Sequence, residues 1–389
     1  MNVAIDARWI FPAKSGIGVY TAELVRRLPA LAPNDSFLLF FSEPAVRDRT
    51  LAETGLGAAP NVRALLVPYG VFSLRSQLQM PRLLARHEVA VFHSPNYMIP
   101  FAAFRRRRDG ATACVATIHD VIPLVIPDHA PKSRKTRLMP LYRRVMREVA
   151  RRADAIVTVS RCSRADVIRH LRVPPEDEAR VKVVYDGVSE RFTPPRERRA
   201  KGPSDPRTIL YVGRSDPYKN LPLLVDALAR ARRDCPFPLR LCIAGSPDPR
   251  YPEADEAAAR FGVADHVTWT GPLDEPSLVA HYQGADVLVH PSRYEGFGLQ
   301  VAEAMACGLP VICSNAASLP EVAGGAALLL GPDDVEGYAA AVVKVLTQSD
   351  QAEAMRREGL RQAALFSWHE AARQTLAIYR SVHAARQRR

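Results

Sequence analysis

The chain has no apolar run near the ~20 residues that a bilayer span needs, no C-x-x-C pair, no D-x-D and no internal repeat. Each absence removes a class of protein. Without the long run, an integral membrane protein is not expected. "MNVAID" opens directly on a strand-like run, not on a basic start followed by an apolar stretch, so a secretory leader is not expected either. The six cysteines (Cys114, Cys162, Cys235, Cys242, Cys307 and Cys313) are scattered. They read as reduced, mostly core thiols, neither a disulfide framework nor a zinc site. No metal site is expected anywhere in the chain. Aromatic residues make up only 7% and are not interleaved with the basic stretches, and no known nucleic-acid module appears, so nucleic acid is not an expected partner.

What is abundant is arginine, and the net charge is +12. The basic residues are unevenly placed: Arg105 to Arg108 form an unbroken run, and "PKSRKTRLMPLYRRVMREVARRAD" from Pro131 to Asp154 is dense in them. Within that stretch Leu138, Leu141, Val145 and Val149 recur at spacings of three or four. The pattern predicts a helix over Lys135–Arg151 whose apolar stripe is either buried or docked on an anionic membrane surface. Pro140 would kink this helix or start it.

At 389 residues the chain is too long for one ordinary core, and two domains are expected. Short β-branched or apolar runs alternate with helical patterns throughout. In the first half the strands fall near Val3–Ile5, Phe37–Phe41, Val62–Val67, Val89–Phe92, Cys114–Ile118, Ala155–Val159 and Val181–Val184. In the second they fall near Ile209–Val212, Arg240–Ala244, Val267–Trp269, Val287–His290, Pro310–Cys313 and Ala327–Leu330. Such alternation predicts an α/β protein with parallel sheets covered by helices on both faces. "TPPRERRAKGPSDPR", Thr193 to Arg207, marks an exposed connection. The expectation is two doubly wound, Rossmann-like domains, 1–195 and 196–366, facing a central cleft, with ligands at the carboxyl ends of the strands. A last helix over 367–389, with Ser367 as its cap, would pack back on the first domain.

Chemistry concentrates in "HPSRYEGFGLQVAEAMACGLPVI", His290 to Ile312. Val287–His290 reads as a strand and the segment after Gly298 as a helix, so the turn between them faces the helix's free amides and positive dipole end. That is an anion site. Gly296 and Gly298 allow close backbone approach. Glu295 stands before the helix, and Glu303 lies about 7.5 Å along its axis. A phosphate at the helix tip would have a carboxylate on either side, each suited to accept hydrogen bonds from sugar hydroxyls. A ligand of that pattern is a nucleotide sugar. A dinucleotide fingerprint at Gly16 and Gly18 is rejected, because position 21 is Thr21 and about ten residues separate Ile5 from Gly16.

The segment from Ala285 to Asp334 resembles the donor-site region of the retaining glycosyltransferases of family four, which have the GT-B fold. Its E-x7-E, "GLPVI" and "SLPEV" occur in the family's order. "LYVGRSDPYKNLPLLVDAL" (Leu210 to Leu228) resembles the strand, loop and helix that open the family's second domain. "SGIGVYTAEL" (Ser15 to Leu24), "TIHDVIPL" (Thr117 to Leu124) and "LFSW" (Leu365 to Trp368) extend the likeness over nearly the entire chain.

The resemblance implies a donor site made of Gly16, Gly18, Arg214, Lys219, Glu295, Gly296, Phe297, Gly298, Leu299 and Glu303. Arg214 and Lys219 would grip the diphosphate, Glu295 would read the transferred sugar, and Glu303 the nucleotide ribose. His119 would contact the donor sugar, and Asp120 would orient His119 or contact the acceptor. Together with Arg214, Lys219 and Glu295 they form the implied catalytic set. The implied reaction is transfer of a hexose from a nucleoside diphosphate sugar with its anomeric configuration retained, without metal or cofactor. The first domain would bind the acceptor and the second the donor. "GIG-x-Y" is frequent in bacterial mannosyltransferases of surface polysaccharide synthesis, so GDP-mannose is the expected donor. A UDP-hexose is the alternative, and a nucleotide-sugar epimerase of the same fold the more distant one. A glycan, free or linked to polyprenyl diphosphate, is the expected acceptor of a cytoplasmic enzyme peripheral to the inner face of the membrane.

Overall fold

The structure is a computed structural model describing residues 1–12, 15–127, 131–132, 138–197 and 201–388. Two parallel sheets organise the chain. Strands β1 (Asn2–Ile5), β2 (Ser36–Phe41), β3 (Val62–Leu66), β4 (Val91–Ser94), β5 (Ala113–Thr117), β6 (Ala155–Thr158) and β7 (Val181–Val183) form a seven-stranded sheet in the order β3-β2-β1-β4-β5-β6-β7. Strands β8 (Arg207–Val212), β9 (Leu239–Ala244), β10 (Val267–Trp269), β11 (Val287–His290), β12 (Val311–Ser314) and β13 (Ala327–Leu330) form a six-stranded one in the order β10-β9-β8-β11-β12-β13. Every ladder is parallel. Burial follows from that: β4, β5, β6, β11 and β12 are buried at every residue, as expected of strands covered on both faces.

In each sheet the chain reverses its direction of growth once, between β1 and β4 and between β8 and β11. Crossover loops on the two sides part there, leaving a crevice at the carboxyl ends of the strands where ligands of such folds bind. The expected strand at Val89–Phe92 lies two residues later because the Val89 amide closes the preceding helix on the Leu84 carbonyl.

The chain forms two compact units, Met1–Val121 with Leu138–Gly187 and Trp368–Arg389, and Ile122–Arg137 with Val188–Ser367. The change at Gly187 comes before the proline-rich stretch. Its cause is local: the Val188 amide donates to the Phe366 carbonyl, Arg191 pairs with Glu275, and Gln283 donates to the Thr193 carbonyl. The segment after Val121 also leaves the first unit, where Lys132 donates to the Arg250 carbonyl.

The basic stretch departs from expectation. Residues 133–137 lie outside the described ones, and the helix runs over Met139–Arg152 with Pro140 in its first turn, where a missing N–H costs nothing. Its buried stripe is Tyr142, Met146 and Val149. Leu138 and Leu141 face outward, 58% and 56% exposed. Of the two placements that the spacing left open, Leu138 and Leu141 take the outward one, because the aromatic Tyr142 supplies the buried anchor.

The closing helix, Trp368–Gln387, joins the first unit through a buried chain of hydrogen bonds. The Tyr379 hydroxyl meets His93 Nδ1 at 2.6 Å, His93 Nε2 meets Thr117 Oγ1 at 2.8 Å, and Thr117 meets the Tyr20 hydroxyl at 2.9 Å. Burial pushes the His93 imidazole down to about 3, so it is neutral when folded. The unfolded chain takes up this proton near pH ~6.5. The contribution of neutral His93 is therefore complete above that pH and declines as pH falls toward 3. Tyr379→Phe strands the Nδ1 atom, and urea unfolding should show a loss of about 1–3 kcal/mol. A loss within error of zero would mean that this bond does not anchor the helix.

Candidate active site

The second unit brings the predicted donor residues other than Gly16 and Gly18 together at the carboxyl ends of β8 and β11. After β8 the chain turns at Gly213, whose φ of +147° favours glycine. It then runs through Arg214 and a short 3-10 turn, Pro217–Lys219. Asn220 holds a left-handed conformation, and its amide donates to the Pro291 and Pro332 carbonyls, at 3.3 and 2.6 Å. One side chain thus ties the loop after β8 to those after β11 and β13.

Lys219 is aimed inward. Its ammonium donates to Glu295 Oε1 at 2.7 Å, and both side chains are buried. The same oxygen receives His290 Nε2 at 2.8 Å. Since a carboxylate only accepts, Nε2 carries the proton there. Burial opposes both charges, but the pairing outweighs it: Glu295 is held below the usual carboxylate range and Lys219 above the usual ammonium range. The His290 ring stacks on Tyr211 at 5.7 Å and 11°. Ser318 Oγ donates to the carbonyls of Glu295 and Phe297, both at 2.8 Å, fixing the turn from behind.

Arg214 behaves differently. Its side chain is 76% exposed and leans on the buried Asp216 at 2.5 Å. It is a cation held at one end and open at the other.

Gly298 caps the helix Leu299–Ala306 with φ of +101°, and a Cβ added there would lie 2.7 Å from Leu319 Cδ2. Glycine is required at this position, since both the backbone angle and the neighbouring leucine exclude a side chain. The amides of Val301 and Ala302 donate to the Gly298 carbonyl, and those of Leu299 and Gln300 precede any acceptor within the helix. Glu303, one turn in, accepts a hydrogen bond from the buried Tyr282 hydroxyl at 2.8 Å. Its environment is the reverse of that of Glu295: burial raises its pKa to about 7, only partly offset by Tyr282.

The remaining candidates belong to the first unit. His119 follows β5, donates through Nε2 to the Pro95 carbonyl at 2.9 Å, and meets the edge of Tyr20 at 4.8 Å. Burial lowers its pKa. Asp120 is half-buried beside it. Gly16 and Gly18 lie in the first turn of the helix Gly16–Leu31, capped by Ser15 Oγ, which accepts from the Gly18 amide at 3.1 Å. An added Cβ at Gly16 would meet nothing within 4 Å.

Sequence reasoning passed over His290, Asp216, Tyr282 and Ser318. Only His290 carried a signal, as the last residue of its strand beside the turn; the others support their partners from a distance that spacing does not reveal.

The buried pair makes a stability prediction. Lys219→Ala leaves Glu295 ionised without its main compensation and should cost about 3–5 kcal/mol. Adding Glu295→Ala should recover part of that loss, because the stranded charge is gone. Chemical denaturation of the two single variants and the double variant measures the coupling. Strictly additive losses would mean that the pair contributes nothing as a pair.

Comparison with known proteins places the chain in a family. The model described as Glycosyltransferase Family 4 matches residues 14–192, and that described as Glycosyl transferases group 1 matches 195–362. The O-antigen chain mannosyltransferase B of Escherichia coli is 29% identical over 94% of this chain and 96% of its own. The MMP alpha-(1->4)-mannosyltransferase of Mycolicibacterium hassiacum is 32% identical over 66% of this chain and 65% of its own. Among solved structures, the sucrose-phosphate synthase of Thermosynechococcus elongatus superposes with a TM-score of 0.77 at 22% identity, over 99% of this chain and 100% of that one. The chain belongs to the family-four, group 1 glycosyltransferases and has their GT-B fold.

Proposed function

We propose that this glycosyltransferase moves mannose from GDP-mannose, with retention of anomeric configuration, onto a glycan free or carried on a polyprenyl diphosphate. The observation that carries the reading is the pair of glutamates around one helix N-terminus, with Arg214 and Lys219 at the adjacent strand end. The helix amides and the two cations suit a diphosphate between the carboxylates. They also stabilise the negative charge that grows on the departing nucleoside diphosphate. These groups supply the neutralisation that a divalent ion would otherwise provide, so no metal is needed. Proton transfer from the acceptor hydroxyl to the leaving diphosphate oxygen balances the displacement, which removes the need for a separate base. His119 and Asp120 are assigned to the sugar and acceptor side. Mannose is favoured by "GIGVY" at Gly16–Tyr20 and by the two mannosyltransferase relatives.

The test is release of nucleoside diphosphate from GDP-mannose and from UDP-hexoses, with and without a polyprenyl-diphosphate glycan, in excess chelator. GDP should appear only with acceptor, chelation should leave the rate unchanged, and the product should keep the donor's anomeric form by NMR. Equal release without acceptor would replace transfer by hydrolysis or epimerisation. Release from a UDP-hexose alone would replace the donor.

Glu303 gives a pH signature. Its carboxyl is protonated below about pH 7, and a ribose hydroxyl is best accepted by the ionised form. Nucleotide affinity should therefore rise as pH increases through 7. Glu303→Gln copies the protonated state. It should bind GDP about as well as the native protein at mildly acid pH, and ~10-fold or more weakly well above neutrality. Calorimetry across this range decides: parallel curves for the two proteins would remove Glu303 from the ribose site.

A further inference from the structure

The first unit exposes large apolar side chains where its sheet ends. Phe72, Leu74 and Leu78 are 59%, 82% and 66% exposed, and Phe11 is 41% exposed. The two phenylalanines are joined through one tryptophan. Trp9, itself buried, takes the edges of Phe11 at 6.2 Å and of Phe72 at 5.6 Å. Phe72 in turn meets Tyr97 at 6.1 Å, and Tyr97 meets Tyr142 at 5.6 Å. Leu74 and Leu78 lie one turn apart on the helix Leu74–Arg86, whose buried residues Ser76, Met80 and Leu84 face the other way. A soluble helix normally hides such leucines; this one has an apolar face on each side.

Arginine dominates the charge of the segment that carries Phe72, Leu74 and Leu78. From Val62 to Arg108 the chain has eight arginines and one acid, Glu88. Arg75, Arg82 and Arg86 are exposed on the same helix. The segment Ile99–Phe104 links it to the helix Met139–Arg152: Gln77 donates to the Ile99 carbonyl, and Arg152 donates to those of Phe101 and Phe104. That second helix adds the exposed Leu138 and Leu141 with Arg143 and Arg144, and its acid, Glu148, is already held by Arg106, Arg151 and Arg152. Arg106 and Arg108 are paired with Glu148 and Asp177, but apolar side chains that reach outward beside the exposed Arg75, Arg82, Arg143 and Arg144 match the interface of an anionic bilayer. An acidic protein would satisfy the charge, but it would leave the leucines without the broad apolar layer they reach toward.

We propose that Phe11, Phe72, Leu74 and Leu78 insert into the interface of an anionic lipid bilayer, with Arg75 and Arg82 on the headgroups, and that this surface, rather than the buried stripe of the basic helix, docks the protein. Trp9 follows β1, Tyr97 follows β4 and His119 follows β5, so the docked surface lies at the ligand-binding end of the sheet. A lipid-carried acceptor would be met there. This last step rests on the acceptor reading; the docking does not.

Co-sedimentation of the full chain with phosphatidylcholine vesicles, with and without roughly one third phosphatidylglycerol, tests the surface. The native protein should bind the anionic vesicles at low salt and be released as salt rises from roughly 0.05 to 0.5 M. Leu74→Ser with Leu78→Ser should lower binding about tenfold or more. Arg75→Gln with Arg82→Gln should lower it by a similar factor and flatten the salt dependence. In both variants the GDP-induced thermal shift should be unchanged, which shows that they fold and separates this test from the donor assignment. Failure of the native protein to bind anionic vesicles overturns the proposal, as does equal binding by the leucine variant. Native dimers that the leucine substitutions dissociate, without vesicle binding, would make the patch an interface between copies of the chain.

Discussion

The ion pair between Lys219 and Glu295 sets conditions that the rest of the second unit has to meet. Two opposite charges 76 residues apart are buried at 2.7 Å, and neither is tolerable there without the other. The pairing is possible because β8 and β11 are parallel neighbours, with Ile209 opposite Val287 and Leu210 opposite Leu288, so both loops leave the sheet at the same end. It also demands a fixed backbone. Asn220 holds one loop by its amide, Ser318 holds the other by its hydroxyl, and Gly245 packs so close to the Gly213 carbonyl that no Cβ fits. Remove the charges and most of these contacts would have nothing to position.

The same constraint divides two chemically identical residues. Glu295 meets a lysine and a histidine and stays ionised; Glu303, eight positions later, meets only a tyrosine hydroxyl and keeps its proton to about pH 7. One carboxylate is therefore committed before any ligand arrives, and the other is still free to change state. A diphosphate placed near Lys219 competes with Glu295 for its ammonium. Competition of that kind would loosen Glu295, whereas Arg214, exposed and held at one end by Asp216, would offer its charge at no such cost.

Much of this was legible in the sequence because it was written in local patterns. Alternating apolar runs gave the strands, and Glu295, Gly296, Gly298 and Glu303 sit around a helix N-terminus as their spacing requires. What the sequence hid is pairing across distance. Lys219 reads as a diphosphate ligand and Glu295 as a sugar ligand, and no spacing rule announces that they bind each other. The outward turn of Leu138 and Leu141 was hidden for a related reason: a periodic stripe says that residues share a face, not which face another element covers, and Tyr142 and Met146 won that contact.

The two sheets reverse at the same topological point yet equip it with opposite chemistry. Beyond β1 in the first unit, Asp6 and Arg8 form a buried pair with two contacts of 2.7 Å, and Arg8 is further committed to the Tyr69 carbonyl and Ser76. That arginine has little left to offer a phosphate. Close by, Trp9, Phe72 and Tyr97 pack their rings on one another and present aromatic surface instead of charge. Beyond β8 and β11 stand an exposed arginine and the free amides of a helix. The carboxyl ends of the two sheets thus carry opposite chemistry, apolar and aromatic on one and cationic on the other, with a shared topology and no need of a different fold.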